Sequence, residues 1–131
     1  MARQHLAIVS SSAASALVRG TKRIETRFSR QKRAPYGRIS RGDVVYFKLC
    51  GGTVVGSAQV SAIEEFTGLT PARVDAVRRA YASRVRAPNA YWAARRRCRY
   101  GVLIWLEPLR PVPRGLTFPR QYGGGWVVLH G

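Results

Sequence analysis

Gly20-Thr21-Lys22-Arg23-Ile24-Glu25-Thr26-Arg27, followed after a basic stretch by Arg41-Gly42-Asp43, is the part of the sequence on which the fold turns. A lysine, a carboxylate and an arginine stand within six residues, just behind a glycine. In an extended segment the side chains of residues 25 and 27 share a face, because successive residues alternate across a strand. Lys22 is placed to reach toward them from the turn. Two readings are open here: an ion pair on the surface at the end of a helix, or the floor of a site.

On the N-terminal side, His5-Leu6-Ala7-Ile8-Val9 is short, apolar and partly β-branched, and reads as a buried strand. Ser10, Ser11 and Ser12 are N-cap candidates for a helix over Ala13 to Arg19, and Gly20 stands where a C′ glycine ends one. Ile24 and Thr26 then alternate with Glu25 and Arg27, as in a short strand with one polar face. Residues 28–41 hold few apolar residues, with Pro35 and Gly37 as breakers, and read as a solvated loop.

On the C-terminal side, Gly42-Asp43 turns into a strand, Val44 to Leu49. Cys50-Gly51-Gly52-Thr53 is a hairpin turn, and Val54 to Ile63 returns as a second strand with Gly56 as a bulge candidate. Thr70-Pro71 starts a helix in which Val74, Val77 and Tyr81 recur at helical spacing. A second helix is expected from Pro88 to Arg97. Tyr100 to Leu106 is a buried strand, and Gly123-Gly124-Gly125 turns into a last short strand, Trp126 to Leu129. Strands at both ends and in the middle, with helices after the first strand and between the hairpin and Tyr100, describe an α+β domain. It is a small, partly closed β-barrel of about five to six strands. The length of 131 residues fits one domain, taken as residues 1–131.

The charge is the unusual quantity. Lys and Arg number 23 against six acids, a net +17. Residues 19–41 hold nine cations against Glu25, and residues 71–100 hold nine against Asp75, so each block carries +8. Everything else sums to +1, so the excess lies in two segments rather than being spread over the surface. A compact domain with such a charge repels itself, and a polyanion is the natural partner: nucleic acid, RNA or DNA, first and an anionic membrane surface second. Arginine suits phosphate because its planar fork binds bidentately and stacks on bases. Tyr81, Tyr91 and Trp92 lie among these arginines as candidate stacking platforms, against the alternative that they are core residues.

Cys50, Cys98, His5 and His130 do not form a zinc-ligand pattern, so neither metal nor other cofactor is expected. No apolar run approaches the roughly 18 residues of a membrane span. With no apolar signal segment either, a cytoplasmic protein is expected.

The pattern of Gly20, Lys22, Glu25 and Arg27, then Gly42-Asp43 before a strand, resembles the signature of ASCH domains, a family with a PUA-like fold. Val55-Gly56-Ser57-Ala58-Gln59-Val60 and Trp126-Val127-Val128-Leu129 extend the resemblance over most of the chain, residues 67–99 excepted. It implies a PUA-like β-barrel whose motif lines a cleft that binds RNA. It also implies, as alternatives, a ribonuclease, metal-independent or metal-assisted, or an amidohydrolase acting on a modified nucleoside such as N4-acetylcytidine. By position the amidohydrolase lysine is Lys22, its threonine position holds Glu25, and the nearest acid for its later glutamate is Asp75.

The candidate catalytic residues are therefore Lys22 and Glu25, with Asp75 as a further acid. The candidate nucleic-acid-binding residues are Thr21, Lys22, Arg23, Arg27, Arg30, Arg38, Arg78, Arg79, Trp92, Arg95 and Arg96. In a cleft, Lys22 and Arg27 would hold a phosphate or a base carbonyl. In a ribonuclease, Glu25 would act as base toward a 2′-hydroxyl. Two flanking cations lower its pKa and weaken it for that task. The remaining alternative is a non-enzymatic domain docking an acidic partner, with Glu25 and Arg27 purely structural.

Overall fold

A computed structural model of the chain describes residues 2–118 and 124–130. The elements in order are β1 (Gln4–Val9), α1 (Ser11–Val18), β2 (Ile24–Ser29), β3 (Val44–Leu49), β4 (Val54–Thr67), α2 (Pro71–Val85), α3 (Asn89–Arg95), β5 (Tyr100–Leu106) and β6 (Trp126–His130). The six strands form one mixed sheet in the order β2-β5-β4-β3-β1-β6. β1 runs parallel to β3, and every other neighbouring pair is antiparallel.

The sheet curls around one core. Ala7, Val9, Val45, Phe47, Ala58, Val60, Val102, Ile104 and Leu106 face inward from β1, β3, β4 and β5, with Leu17 of α1 added at one end. A second core lies on the outer face, where Ile24 and Leu103 meet Val74, Val77, Val85 and Trp92 of α2 and α3. Val74 and Val85 are fully buried there, each such side chain contributing roughly 1.5–3 kcal/mol. The helices between β4 and β5 thus pack as a lid on β2 and β5. Among the described residues no backbone ladder joins β2 to β6, so the barrel is open along one seam.

Several local signals act as expected. Ser10 caps α1 by accepting from Ala13 N–H, and Gly20 follows it at φ +78°. Thr70 caps α2 by accepting from Arg73 N–H, with Pro71 at the first helical position. The Cys50–Thr53 turn has Gly51 at φ +69°, and the register between β3 and β4 slips at Val55, beside Gly56. Gly56 is required by close approach, since a Cβ there would stand 2.7 Å from Leu109 Cγ.

Five expectations need correction. β4 continues to Thr67 instead of ending at Ile63, because its second half pairs with β5. β2 extends to Ser29, and the following basic loop is not wholly solvated: Ile39 is 4 % exposed and completes the inner core. The helix expected from Pro88 to Arg97 is the shorter α3, and the last strand extends to His130. Gly123, part of the expected final turn, lies outside the described residues. Cys50 is exposed and Cys98 buried, both as free thiols. No helix among the described residues is long and apolar enough to cross a membrane.

Asp43 latches the three neighbouring strands β3, β1 and β6. Its carboxylate accepts from Arg3 N–H, Ser40 N–H and His5 Nε2, the last at 2.8 Å. His5 Nδ1 in turn accepts from Trp126 Nε1–H at 3.0 Å. The two contacts fix one neutral tautomer, protonated at Nε2. Burial lowers the His5 pKa below 6.5 and outweighs the opposing bond and charge of Asp43. Burial pushes the Asp43 carboxyl up, but the bonds from His5, Arg3 and Ser40 bring it below its ordinary value. Both groups therefore contribute stability above their unfolded pKa values that is lost on acidification. Nitrogen-15 NMR is expected to find His5 neutral and protonated at Nε2 at about pH 6, with unfolding free energy falling as pH drops from about 6.5. A charged His5 at that pH would contradict this.

Candidate functional site

The motif is delivered by the stop of α1. Gly20 N–H donates to Leu17 O, and the amides of Thr21 and Lys22 both donate to Ala16 O at 3.0 and 3.1 Å. This tight turn brings Lys22 under the C-terminal end of α2, where its ammonium donates to Val85 O at 2.7 Å. A helix C-terminus carries partial negative charge and favours a cation. Lys22 Nζ also lies 3.5 Å from Glu25 Oε1. Alternation along β2 turns Glu25 and Arg27 to the inner face, while Ile24, Thr26 and Phe28 meet the helical lid.

Glu25 and Lys22 are buried, at 5 % and 6 % exposure. Glu25 Oε1 accepts from Thr26 N–H at 2.8 Å, and Oε2 accepts from Arg27 Nη2 at 3.3 Å. Burial raises the Glu25 pKa and is the largest single influence. Lys22, Arg27 and the Thr26 amide together exceed it, so the carboxyl lies below its ordinary value and is ionised near neutrality. The Arg27 guanidinium crosses the open seam: Nη2 donates to Ile8 O at 3.0 Å and Nη1 to Gly125 O at 3.2 Å. It also packs 5.1 Å from the Trp126 ring centroid. Its Nε is buried without a protein partner.

Above this group opens a cavity of about 240 Å³. Lys22, Glu25, Thr26 and Arg27 line it from below. The junction of β1 and α1, including Ser10 and Ser12, forms one wall, and Arg86, Pro88, Tyr91 and Arg95 form the other. Four cations against one carboxylate give the lining a net +3. The first turn of α1 lines it through Ser12 and Ala13, the Ala13 amide being taken by the Ser10 hydroxyl. Arg95 lies 3.8 Å from the Tyr91 ring centroid. Tyr91 O–H donates to Thr26 O at 3.1 Å and accepts from the Thr26 hydroxyl at 2.5 Å. Burial, helped by the charge of Glu25, raises the Tyr91 pKa and keeps the phenol protonated.

Of the residues singled out in the sequence, the cavity gathers Lys22, Glu25, Arg27 and Arg95. Thr21 bonds back to Ala16 O, Arg23 lines a separate groove beside Glu107, and Arg38 accepts from Arg3 through its carbonyl. Arg30 and Arg96 lie on another arginine-rich face, Arg79 is exposed on α2, and Arg78 bonds Asn89. Asp75 is not in the cavity; it pairs with Arg96 at 3.0 Å on the exposed side of α2 and α3. Trp92 is no stacking platform: at 2 % exposure it fills the outer core, where an amphipathic α3 buries its largest side chain. Tyr81 is half-buried edge-on against Trp105. Among the described residues no group of three or more His, Cys, Asp and Glu gathers that would hold a metal ion.

Arg86 and the pairing of Thr26 with Tyr91 were not read from the sequence. Arg86 caps α2 in the left-handed region, φ +60° and ψ +36°, where glycine is the usual residue. A non-glycine residue held there costs on the order of 1 kcal/mol. Among the described residues its guanidinium has no protein partner, and it lines the cavity. Strain of this kind collects where a side chain serves a site.

No protein-family model matches the sequence, and no curated protein is detectably similar to it. Solved structures are. A point mutant of ZmASCH from Zymomonas mobilis superposes with a TM-score of 0.67 at 17% identity, covering 97% of this chain and 88% of that one. ASCH from Zymomonas mobilis gives 0.66 at 17% identity, over 97% and 87%. The hypothetical protein PH0355 gives 0.50 at 17% identity, over 79% and 96%. The chain thus has the ASCH-like fold, an α+β arrangement of a mixed six-stranded sheet with three helices.

The cost of the left-handed cap is measurable in one substitution. Arg86→Gly is expected to unfold at an equal or higher denaturant concentration, a gain of up to about 1 kcal/mol. A loss of stability well beyond that figure would mean that the arginine is there for the fold.

Proposed function

We propose that this protein is an RNA-binding module that takes a segment of single-stranded RNA into the cavity above Lys22, Glu25 and Arg27. The observation that carries the reading is the cavity's composition: four cations, the first turn of a helix and one ionised carboxylate, in a space of about 240 Å³. That volume lies below the roughly 300 Å³ of drug-sized sites, which suits one phosphate or one base rather than a folded ligand. Lys22, Arg86 and Arg95 supply charge for a phosphate. Glu25 offers an acceptor to a base amino group, and the Arg95–Tyr91 stack presents a flat cationic surface. The two +8 blocks supply the long-range attraction that any polyanion feels, DNA included.

Binding is better supported than cleavage or deacetylation. Glu25 is held ionised by two cations, and its oxygens already accept from Thr26 and Arg27, so it is a weak general base. The Thr26 hydroxyl beside it is tied to Tyr91. Asp75, the further acid a hydrolase would need, is paired elsewhere.

Filter binding of a single-stranded RNA across a salt series is the test. Three phosphate contacts give a slope of about −2 in log affinity against log salt, at about −0.7 per contact for single strands. Arg95→Gln is expected to remove about 0.7 from that slope, with a small fall in melting temperature from its lost contacts to Tyr91. No binding at low salt, or a slope near zero, would contradict the reading.

A further inference from the structure

Arg27 lines a second cavity on its other side, about 280 Å³ in volume. This one opens at the end of the barrel between the end of β2, the start of β5 and the start of β6. Its walls are aromatic, built from Phe28, Tyr36, Tyr100 and Trp126, and its charges are Arg27 and Arg33. Among the described residues no carboxylate lines it.

The rings are fixed. Tyr36 and Tyr100 meet edge to face at 5.4 Å, and Tyr36 Oη is hydrogen-bonded to Thr67 Oγ1 at 2.6 Å. Trp126 is anchored by its bond to His5 and covered by Arg27. Lys32 lies 5.8 Å from the Tyr100 centroid, so the basic loop after β2 edges the opening. Rigid aromatic faces in a cavity whose charged lining residues are arginines make a poor hydrophobic core and a good seat for a nucleobase attached to a phosphate. The neighbouring carboxylate, Glu65, is held by the Gly37 amide beside Tyr36. The loop's charge, which the first cavity does not use, finds its place here.

We infer that the second cavity is a stacking subsite for a neighbouring base of the same RNA strand, with Arg27 as the partition between two successive nucleotides. The inference rests on the RNA-binding reading above. Tyr36 and Tyr100 supply the stacking faces, and Arg33 and Lys32 face the adjoining phosphate. The two subsites differ in kind: one is built of charge around a carboxylate, the other of rings without one.

Calorimetric titration of the full chain with AMP and with the 5′-phosphorylated dinucleotide pApA separates the two readings. The wild type is expected to bind pApA at least tenfold more tightly than AMP, the gain typical of one stacked base. Tyr36→Ala removes that gain and leaves AMP affinity unchanged, whereas Tyr36→Phe keeps it. Arg33→Gln, at an exposed position without a structural role, lowers pApA affinity and leaves AMP affinity and melting temperature unchanged. Equal affinity for AMP and pApA in the wild type overturns the second subsite and leaves the first standing. So does equal weakening of both ligands by Tyr36→Ala. If neither ligand binds, both readings fall.

Discussion

A buried carboxylate held between two cations is the interaction on which the rest of this structure depends. The sheet curls but does not close: its edge strands, β2 and β6, share no ladder. Unpaired strand edges must find partners or be covered. Here the Arg27 side chain crosses the gap to carbonyls on β1 and just before β6, and Glu25 neutralises it on β2 itself. Lys22 ties the same carboxylate to the last turn of α2. One acid thus fastens the seam and the helical lid together.

This arrangement explains why the cavity is cationic without being unstable. Burying Lys22, Glu25 and Arg27 singly would each cost several kcal/mol, and only the paired set is tolerated. The set cannot be electrically neutral, because two cations share one acid. The surplus charge faces the cavity, where Arg86 and Arg95 add to it. The same pairing limits the chemistry, since a carboxylate needed to balance two cations is not free to accept a proton. Structural necessity and the cavity's positive charge therefore come from one cluster.

Local features of the fold were legible in the sequence because their causes are local. The strands Val44–Leu49 and Tyr100–Leu106 and the cap and proline of α2 needed only neighbouring residues to specify them. The shared face of residues 25 and 27, and the reach of Lys22, followed from strand alternation and a glycine stop. What was hidden depends on distant partners. Arg27 bonds Gly125, 98 residues away, and no pattern near residue 27 announces this. The parallel pairing of β1 with β3 and the chain from Asp43 through His5 to Trp126 are equally non-local. Trp92 misled for another reason: charge surrounded it in sequence, while helical geometry turned it inward. Arg86 was invisible because a left-handed cap is normally signalled by glycine.

The coupling between Glu25 and Arg27 fastens the seam, and a double-mutant cycle measures it directly. Denaturant unfolding of the wild type, Glu25→Gln, Arg27→Gln and the double variant gives the interaction free energy. A seam fastened by this pair predicts non-additivity of about 2 kcal/mol or more, because Glu25→Gln leaves Lys22 and Arg27 without their acid, whereas Arg27→Gln leaves Glu25 its partner Lys22. Losses that add within about 0.5 kcal/mol would show two independent side chains, and the account of a seam fastened by one buried pair would then be wrong.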